Sequence, residues 1–475
     1  MNNMYHKRII DNYLVEWCES ASHKPLLLRG ARQVGKSTAV KHLSERFDNY
    51  VEINFEKMSS YKILFDGDID VNRIISQMSV MYGQQIIPGK TLLFLDEIQD
   101  CIPAIMSLRY FKEDLPDLHV IAAGSLLEFA LDDVPTFGVA RIHSMYMFPM
   151  TFDEFLGACG EELLLEARNQ SSKNKPLPEP LYKKSIDLFR TYLLVGGMPE
   201  SVAKWVETGD YIQCQTIQDD IVLGYDTDFA KYKKKLDPEL LRQTLKSVVR
   251  QMGSNKFKFG DVQGYKSKDV LKALDALVKA GIIVPVTHTD GHGLPLGGEE
   301  DKDCRKYLLL DTGLLLRMQD MAMNNMTQNA SFILTSTTSE LVNKGPLAEM
   351  IAGLEILRYQ EPNLKHELHY WLRQAKNATA EVDYLMSMNN IVLPVEVKAD
   401  TQGGMKSLWA FMRDRLLTSA IRCSLENFGC FEYLDKYENA KGEVLTEKRT
   451  VGICPLFAIS QLTETLYVNK HKHQS

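Results

Sequence analysis

The sequence predicts an α/β protein in three parts: a parallel-sheet domain over residues 1–225, a helix-and-hairpin segment over 226–325, and a second α/β domain over 337–475. Three observations predict this. The apolar run Pro25 to Arg29 leads into Gly30-Ala31-Arg32-Gln33-Val34-Gly35-Lys36-Ser37, and Thr38 to Leu43 then continues at helical spacing. A second apolar run, Thr91 to Leu95, ends in Asp96-Glu97. Far downstream, Glu381 to Met386 and Pro394 to Lys398 read as strands in which acidic side chains interrupt apolar and β-branched ones.

Composition narrows the classes. At 475 residues the chain has length for several domains, and 45% hydrophobic with 25% charged residues is ordinary for a globular protein. The net charge of −7 argues against a molecule coated in nucleic acid, though local basic patches remain open. The eight cysteines are scattered with no C-x-x-C pair, which suits reduced thiols. No apolar run has the length of a signal or a membrane span. A cytoplasmic protein with no membrane partner is expected.

The octapeptide from Gly30 to Ser37 fits the phosphate-binding pattern G-x-x-x-x-G-K-[ST]. Gly30 and Gly35 permit turns that a Cβ would block, so the amides from Ala31 through Thr38 can face phosphate oxygens. Lys36 brings a cation to the β- and γ-phosphates, and Ser37 a hydroxyl to Mg²⁺. The following helix aims its positive end at the anion. ATP and Mg²⁺ are the expected ligands.

Asp96-Glu97 is the matching acidic pair. Its strand is expected beside the phosphate-loop strand, with both carboxylates at the carboxyl end. Asp96 would complete the Mg²⁺ shell with Ser37, and Glu97 would act as general base. Tyr50 to Phe55 and Leu118 to Ala123 supply further strands. The latter ends at Gly124-Ser125, where Ser125 either senses the γ-phosphate or caps the next helix.

These runs, together with Arg141-Ile142, Pro149 to Phe155 and Gly196-Gly197-Met198-Pro199-Glu200, resemble the AAA-type ATPases of prokaryotes that carry a domain-of-unknown-function 4143 tail. The matches span nearly the whole chain. One departure is Ala140, where the family has glycine before the arginine. The resemblance implies a P-loop NTPase domain with a helical lid. Arg141 is then either an arginine finger or sensor for the phosphoryl group, or one half of a structural ion pair. The Gly196-Gly197 turn either approaches the nucleotide or packs two helices closely. Ser171 to Pro180, polar and proline-rich, reads as a surface insertion.

In the middle segment, Val270, Leu271, Leu274, Leu277 and Val278 line one face of a helix that Ala280-Gly281 stops. Ile282 to Val286 and Lys306 to Leu310 read as strands flanking the glycine-rich stretch Asp290 to Gly298. This order is winged-helix-like, and the resemblance points the same way. From Lys231 to Lys279 there are 13 Lys and Arg against 5 Asp and Glu. Such a face either sits on a DNA backbone or is simply solvated.

Met321 to Thr338 reads as a linker, and Gly345 to Glu349 opens a helix. Asp383, Glu396 and Lys398, with Glu349 before them, are similar to the PD-(D/E)XK restriction-endonuclease fold. There the acids hold Mg²⁺ and the lysine serves the hydrolytic water. The sequence thus anticipates an ATPase controlling a winged-helix and nuclease-like tail, with DNA processing or defence as its purpose. The alternative is a switch that recruits a protein partner through an inactive nuclease-like domain. Oligomeric state stays open.

Overall fold

A computed structural model of the chain describes residues 5–132, 141–230, 236–322, 345–375, 378–398, 404–438 and 442–466. Ala140, Lys231 to Lys235 and most of the expected linker, from residue 323 on, lie outside them.

The first part runs α1 (Ile9–Glu19), β1 (Leu26–Arg29), α2 (Lys36–Ser44), β2 (Asn49–Asn54), α3 (Val71–Tyr82), β3 (Thr91–Asp96), α4 (Ile102–Asp114), β4 (His119–Ala123), α5 (Leu127–Leu131) and β5 (His143–Tyr146). Its strands form a five-stranded sheet in the order β2-β3-β4-β1-β5, every pair parallel. The acidic-pair strand therefore does not lie beside the phosphate-loop strand as expected: β4 separates β3 from β1. The two motifs still meet, because parallel strands deliver their carboxyl ends to one edge. Both sheet faces are buried. Leu26, Leu28, Leu92 and Phe94 enter one core, while Leu27, Leu93, Leu95 and Val120 enter another with α3 and α4. This explains why the strands read as unbroken apolar runs.

Among the described residues the α-helices that follow are α6 (Phe152–Ala158), α7 (Glu162–Asn169), α8 (Glu179–Val195), α9 (Pro199–Thr208), α10 (Tyr211–Phe229), α11 (Pro238–Arg250) and α12 (Ser267–Lys279). Thr151 and Glu154 start α6 with a reciprocal capping box. The Ser171 to Pro180 stretch is docked rather than loose. Leu177 is buried, and its backbone N–H and C=O both bond the Asn427 side chain.

The hairpin β6 (Ile283–Thr289) and β7 (Glu300–Leu309) leads to α13 (Thr312–Ala322) and α14 (Gly345–Arg358). Then come β8 (Leu368–Ala375), β9 (Ala378–Met388), β10 (Ile391–Val397), α15 (Lys406–Asp414), β11 (Ser419–Ser424), β12 (Gly429–Glu438) and β13 (Val444–Pro455). The hairpin is continuous with the later strands. They make one eight-stranded sheet, β12-β13-β11-β10-β9-β8-β6-β7, joined where β6 pairs parallel with β8. The glycine-rich stretch between β6 and β7 is packed at Gly291, where an added Cβ would lie 2.9 Å from Leu385. A single apolar cluster runs from Ile10 and Leu28 through Leu274 and Leu308 to Leu393 and Leu462, so the three parts share a core.

Candidate functional site

The loop between β1 and α2 has the backbone its sequence requires. Gly30 and Gly35 sit at φ 146 and 97, and Gln33 is also left-handed at φ 65. A Cβ on Gly30 would fall 2.2 Å from the Met147 carbonyl oxygen. Glycine at this position therefore answers a close approach as well as a turn. The ammonium of Lys36 folds back and donates to the carbonyls of Gly30 and Ala31, both at 2.8 Å. Burial lowers its pKa to about 8, against the pull of Glu97 and Asp96.

Asp96, at the end of β3, gathers the rest. Ser37 Oγ donates to its Oδ2 at 3.3 Å, Asn54 Nδ2 donates to the same oxygen at 3.0 Å, and the Glu97 N–H donates to Oδ1 at 3.0 Å. Burial and the neighbouring Glu97 raise the Asp96 pKa, while the Glu97 N–H and Asn54 bonds oppose the rise. Glu97 itself is left-handed at φ 48, a costly conformation for a non-glycine residue. Its carboxylate accepts from Gln99 Nε2 at 2.6 Å. A hydroxyl and a carboxylate beside a buried excess of negative charge suit a hard cation such as Mg²⁺, so the residues fit that ion.

Ser125 lies just past β4 in the wall of a cavity of about 150 Å³ that Gly30, Ala31, Gly281, Ile283 and Leu354 also line. It does not cap α5, whose N-cap is Leu126 without a side-chain bond. Arg141 sits elsewhere. It precedes β5, whose His143 aligns with Leu26 at the start of β1, whereas the phosphate loop leaves the other end of that strand. Its partner is Glu113, on α4. Within its own chain the ion pair is thus the role its geometry supports. The backbone at Gly197 packs against the segment leading into α6, and the side chain of Pro199 just after it approaches the phosphate loop. A Cβ on Gly197 would lie 2.1 Å from the Met150 carbonyl oxygen, and Pro199 comes within 3.4 Å of where a Cβ on Gly35 would be.

A second polar centre lies between β7, β9 and α14. Ligand oxygens of Glu349, Glu381 and Asp383 lie within 4.8 Å of one another. Lys306 from β7 donates to Glu349 and, at 2.7 Å, to Glu381. Asp383 accepts the Val397 N–H at 2.7 Å, and Lys398 pairs with Glu396 at 2.6 Å. Burial, then Glu396 and Glu349, push the Asp383 carboxyl well above its usual range. Burial raises Glu396 as well, with Lys398 opposing. Burial works against the charge on Lys306, but Glu349, Glu381 and Asp383 overcome it and raise its pKa.

Residues 22–156 match the family described as AAA domain, residues 186–325 a domain of unknown function, DUF8612, and residues 344–427 a domain of unknown function, DUF4143. The chain carries an AAA domain near its N-terminus and a DUF4143 domain towards its C-terminus. The AAA match contains both the phosphate loop from Gly30 to Ser37 and the Asp96-Glu97 pair. No protein of curated function matches it. Among solved structures, a Walker-type ATPase of Pyrococcus abyssi aligns at 16% identity and TM-score 0.41, covering 66% of this chain and 96% of that one. The ORC1 protein of Aeropyrum pernix, solved in complex with DNA, aligns at 10% identity and TM-score 0.28, covering 66% and 93%. At these scores neither likeness bears on function. Among the described residues no helix is long and apolar enough to cross a membrane.

Several residues around the AAA domain's phosphate loop carry no local sequence signal. Arg8, at the N-terminus of α1, donates to the Val34 carbonyl at 3.0 Å, the Phe148 carbonyl at 2.8 Å and Glu154 at 2.9 Å. Arg32 pairs with Asp228 of α10. In the DUF4143 domain the expected Glu349 and Asp383 come together, but Glu381 joins them and Glu396 faces Lys398. Glu381, two residues before Asp383 on one strand, was open to the same alternation argument that paired Glu396 with Lys398. Lys306, from the DUF8612 segment, was not.

Proposed function

We propose that the chain is an ATP-hydrolysing switch whose nucleotide state sets the arrangement of the basic α11–α12 segment and the nuclease-like tail, acting on DNA. The observation that carries this reading is a contact. Gly281, between α12 and β6, lies so close to the phosphate loop that an added Cβ would be 3.2 Å from the Ala31 nitrogen. Any rearrangement of that loop around a triphosphate is felt directly by the hairpin and the sheet it joins.

In this reading the amides from Ala31 through Thr38 and the Lys36 ammonium bind the phosphates, and Lys36 must first leave the two carbonyls it now bonds. Ser37 and Asp96 would hold Mg²⁺, which when bound neutralises charge on the phosphate oxygens. Glu97 accepts the proton of the attacking water. Ser125 faces the γ-phosphate side from β4, and Arg141 stays in its ion pair with Glu113. On the outer surface Lys246, Arg250, Lys256, Lys258, Lys266 and Lys268 are exposed, which supports a polyanion as partner.

One assay on the wild type, Lys36→Ala and Asp383→Ala tests the reading. Mg²⁺-dependent ATP hydrolysis is expected in the first and third only, and ATP-dependent DNA cleavage in the first only. Absence of ATP hydrolysis by the wild type overturns it. A second reading, a protein-recruiting switch with an inert tail, is favoured by one observation: Lys306 already fills the acid cluster with a cation. It predicts nucleotide-dependent partner capture that Asp383→Ala leaves unchanged.

A further inference from the structure

The cluster in the DUF4143 domain holds more negative charge than it neutralises. Glu349, Glu381, Asp383 and Glu396 face Lys306 and Lys398, and four carboxylates less two ammonium groups leaves two formal negative charges. Arg422, which also acts on Lys398, is matched by Glu426 at 3.4 Å. Glu396 is 3% exposed, and its Oε2 takes no hydrogen bond from any described residue. Glu396 precedes Val397, whose N–H Asp383 accepts at 2.7 Å, so it adjoins the same centre. A set of carboxylate oxygens with surplus charge is chemistry for a hard divalent cation.

The centre is not open to such an ion as it stands. Lys306 is the only side chain of the set that comes from outside the DUF4143 match, and its side chain is 6% exposed. It sits 4.5 Å from the centroid of the Tyr370 ring and 5.6 Å from that of Tyr384, so the cation has an aromatic seat as well as acidic partners. The strand that carries it runs on to Asp311, which accepts the Gly197 N–H at 2.6 Å beside the phosphate loop.

We propose that Lys306 is an internal cation standing where a divalent cation would bind, so that the Glu349–Glu381–Asp383 centre takes metal only when Lys306 is withdrawn. This rests on reading that centre as a metal site. A lysine supplies one charge on a tether where a divalent ion supplies two, so the exchange balances the four carboxylates better.

The test is Mn²⁺ binding, read by electron paramagnetic resonance on the full chain without nucleotide. Wild type, Asp383→Asn, Lys306→Met, Lys306→Gln, Lys306→Arg and the double variant Lys306→Met with Asp383→Asn are compared at matched folding by circular dichroism. Lys306→Met and Lys306→Gln should each bind one more Mn²⁺ per chain than wild type. Lys306→Arg and the double variant should not. If wild type already binds an Mn²⁺ that Asp383→Asn removes, the metal centre stands and the lysine lock is overturned. If no variant gains an Mn²⁺ and none in wild type depends on Asp383, both readings fall. Unfolding of the two neutral variants that Mn²⁺ does not reverse also overturns the lock.

Discussion

One guanidinium nitrogen of Arg32, inside the phosphate loop, lies 2.6 and 2.7 Å from the two carboxylate oxygens of Asp228 in α10. Asp228 is nearly buried, while the Arg32 side chain is 39% exposed. Solvent therefore screens the pair, and its worth is about 1 kcal/mol rather than the several of a buried one. Asp228→Asn should speed nucleotide release by roughly fivefold, the rate equivalent of about 1 kcal/mol. Stopped-flow dissociation of a fluorescent ATP analogue measures this, and an unchanged rate would show that the clamp does not restrain the loop.

The two ends of the catalytic set should separate binding from chemistry. Lys36→Ala is expected to abolish ATP binding, because the loop loses the ammonium that the β- and γ-phosphates call for. Glu97→Gln should bind ATP near the wild-type affinity and lower turnover by roughly 10²–10⁴-fold, the usual contribution of a general base. Equilibrium binding and steady-state hydrolysis on the same samples decide it.

Lys36 predicts a pH dependence. Its folded pKa is lowered to about 8, while the phosphates require the charged form. ATP affinity should therefore fall as pH rises through about 8, with proton uptake on binding above that point. Across the window from about 8 to lysine's ordinary value the unfolded chain holds more protons than the folded one. The Lys36 contribution to folding stability accordingly rises with pH while affinity falls. Calorimetry in two buffers of different ionisation enthalpy reads the proton uptake, and flat affinity between pH 7 and 9 contradicts the prediction.

Stability across the parts rests on a buried polar knot. Glu355 of α14 accepts from the Phe152 N–H at 3.0 Å, Tyr192 Oη at 3.0 Å and Arg358 Nη1 at 3.1 Å, with Glu355 and Arg358 almost wholly buried. Glu355→Ala should cost about 3–5 kcal/mol, because it leaves a buried guanidinium with only the more distant Asp311, 4.0 Å away, as its carboxylate partner. Replacing the knot with apolar residues of similar volume should cost much less. Urea denaturation of both variants distinguishes the unpaired charge from a packing loss.

Local chemistry was legible at the phosphate loop because each requirement is met within a few consecutive residues. Gly30, Gly35, Lys36, Ser37 and the Asp96-Glu97 pair announce themselves by spacing. Strand neighbours are different. The insertion of β4 between β1 and β3 depends on which crossover packs where, and nothing in either strand encodes it. Arg8 and Asp228 reach the loop, and Asn54 reaches Asp96, from three separate segments, so no window of sequence contains them together.

The sequence by itself determined the phosphate-binding turn, the acidic pair and the order of acids in the last third, because backbone conformation and alternation are local properties. Tertiary structure alone decided that β6 and β7 join the later strands in one sheet. That juxtaposition carries Lys306 across from its own segment into the acids of another. Long-range charge compensation is fixed by folding, since a buried carboxylate takes whichever cation the packing brings within reach.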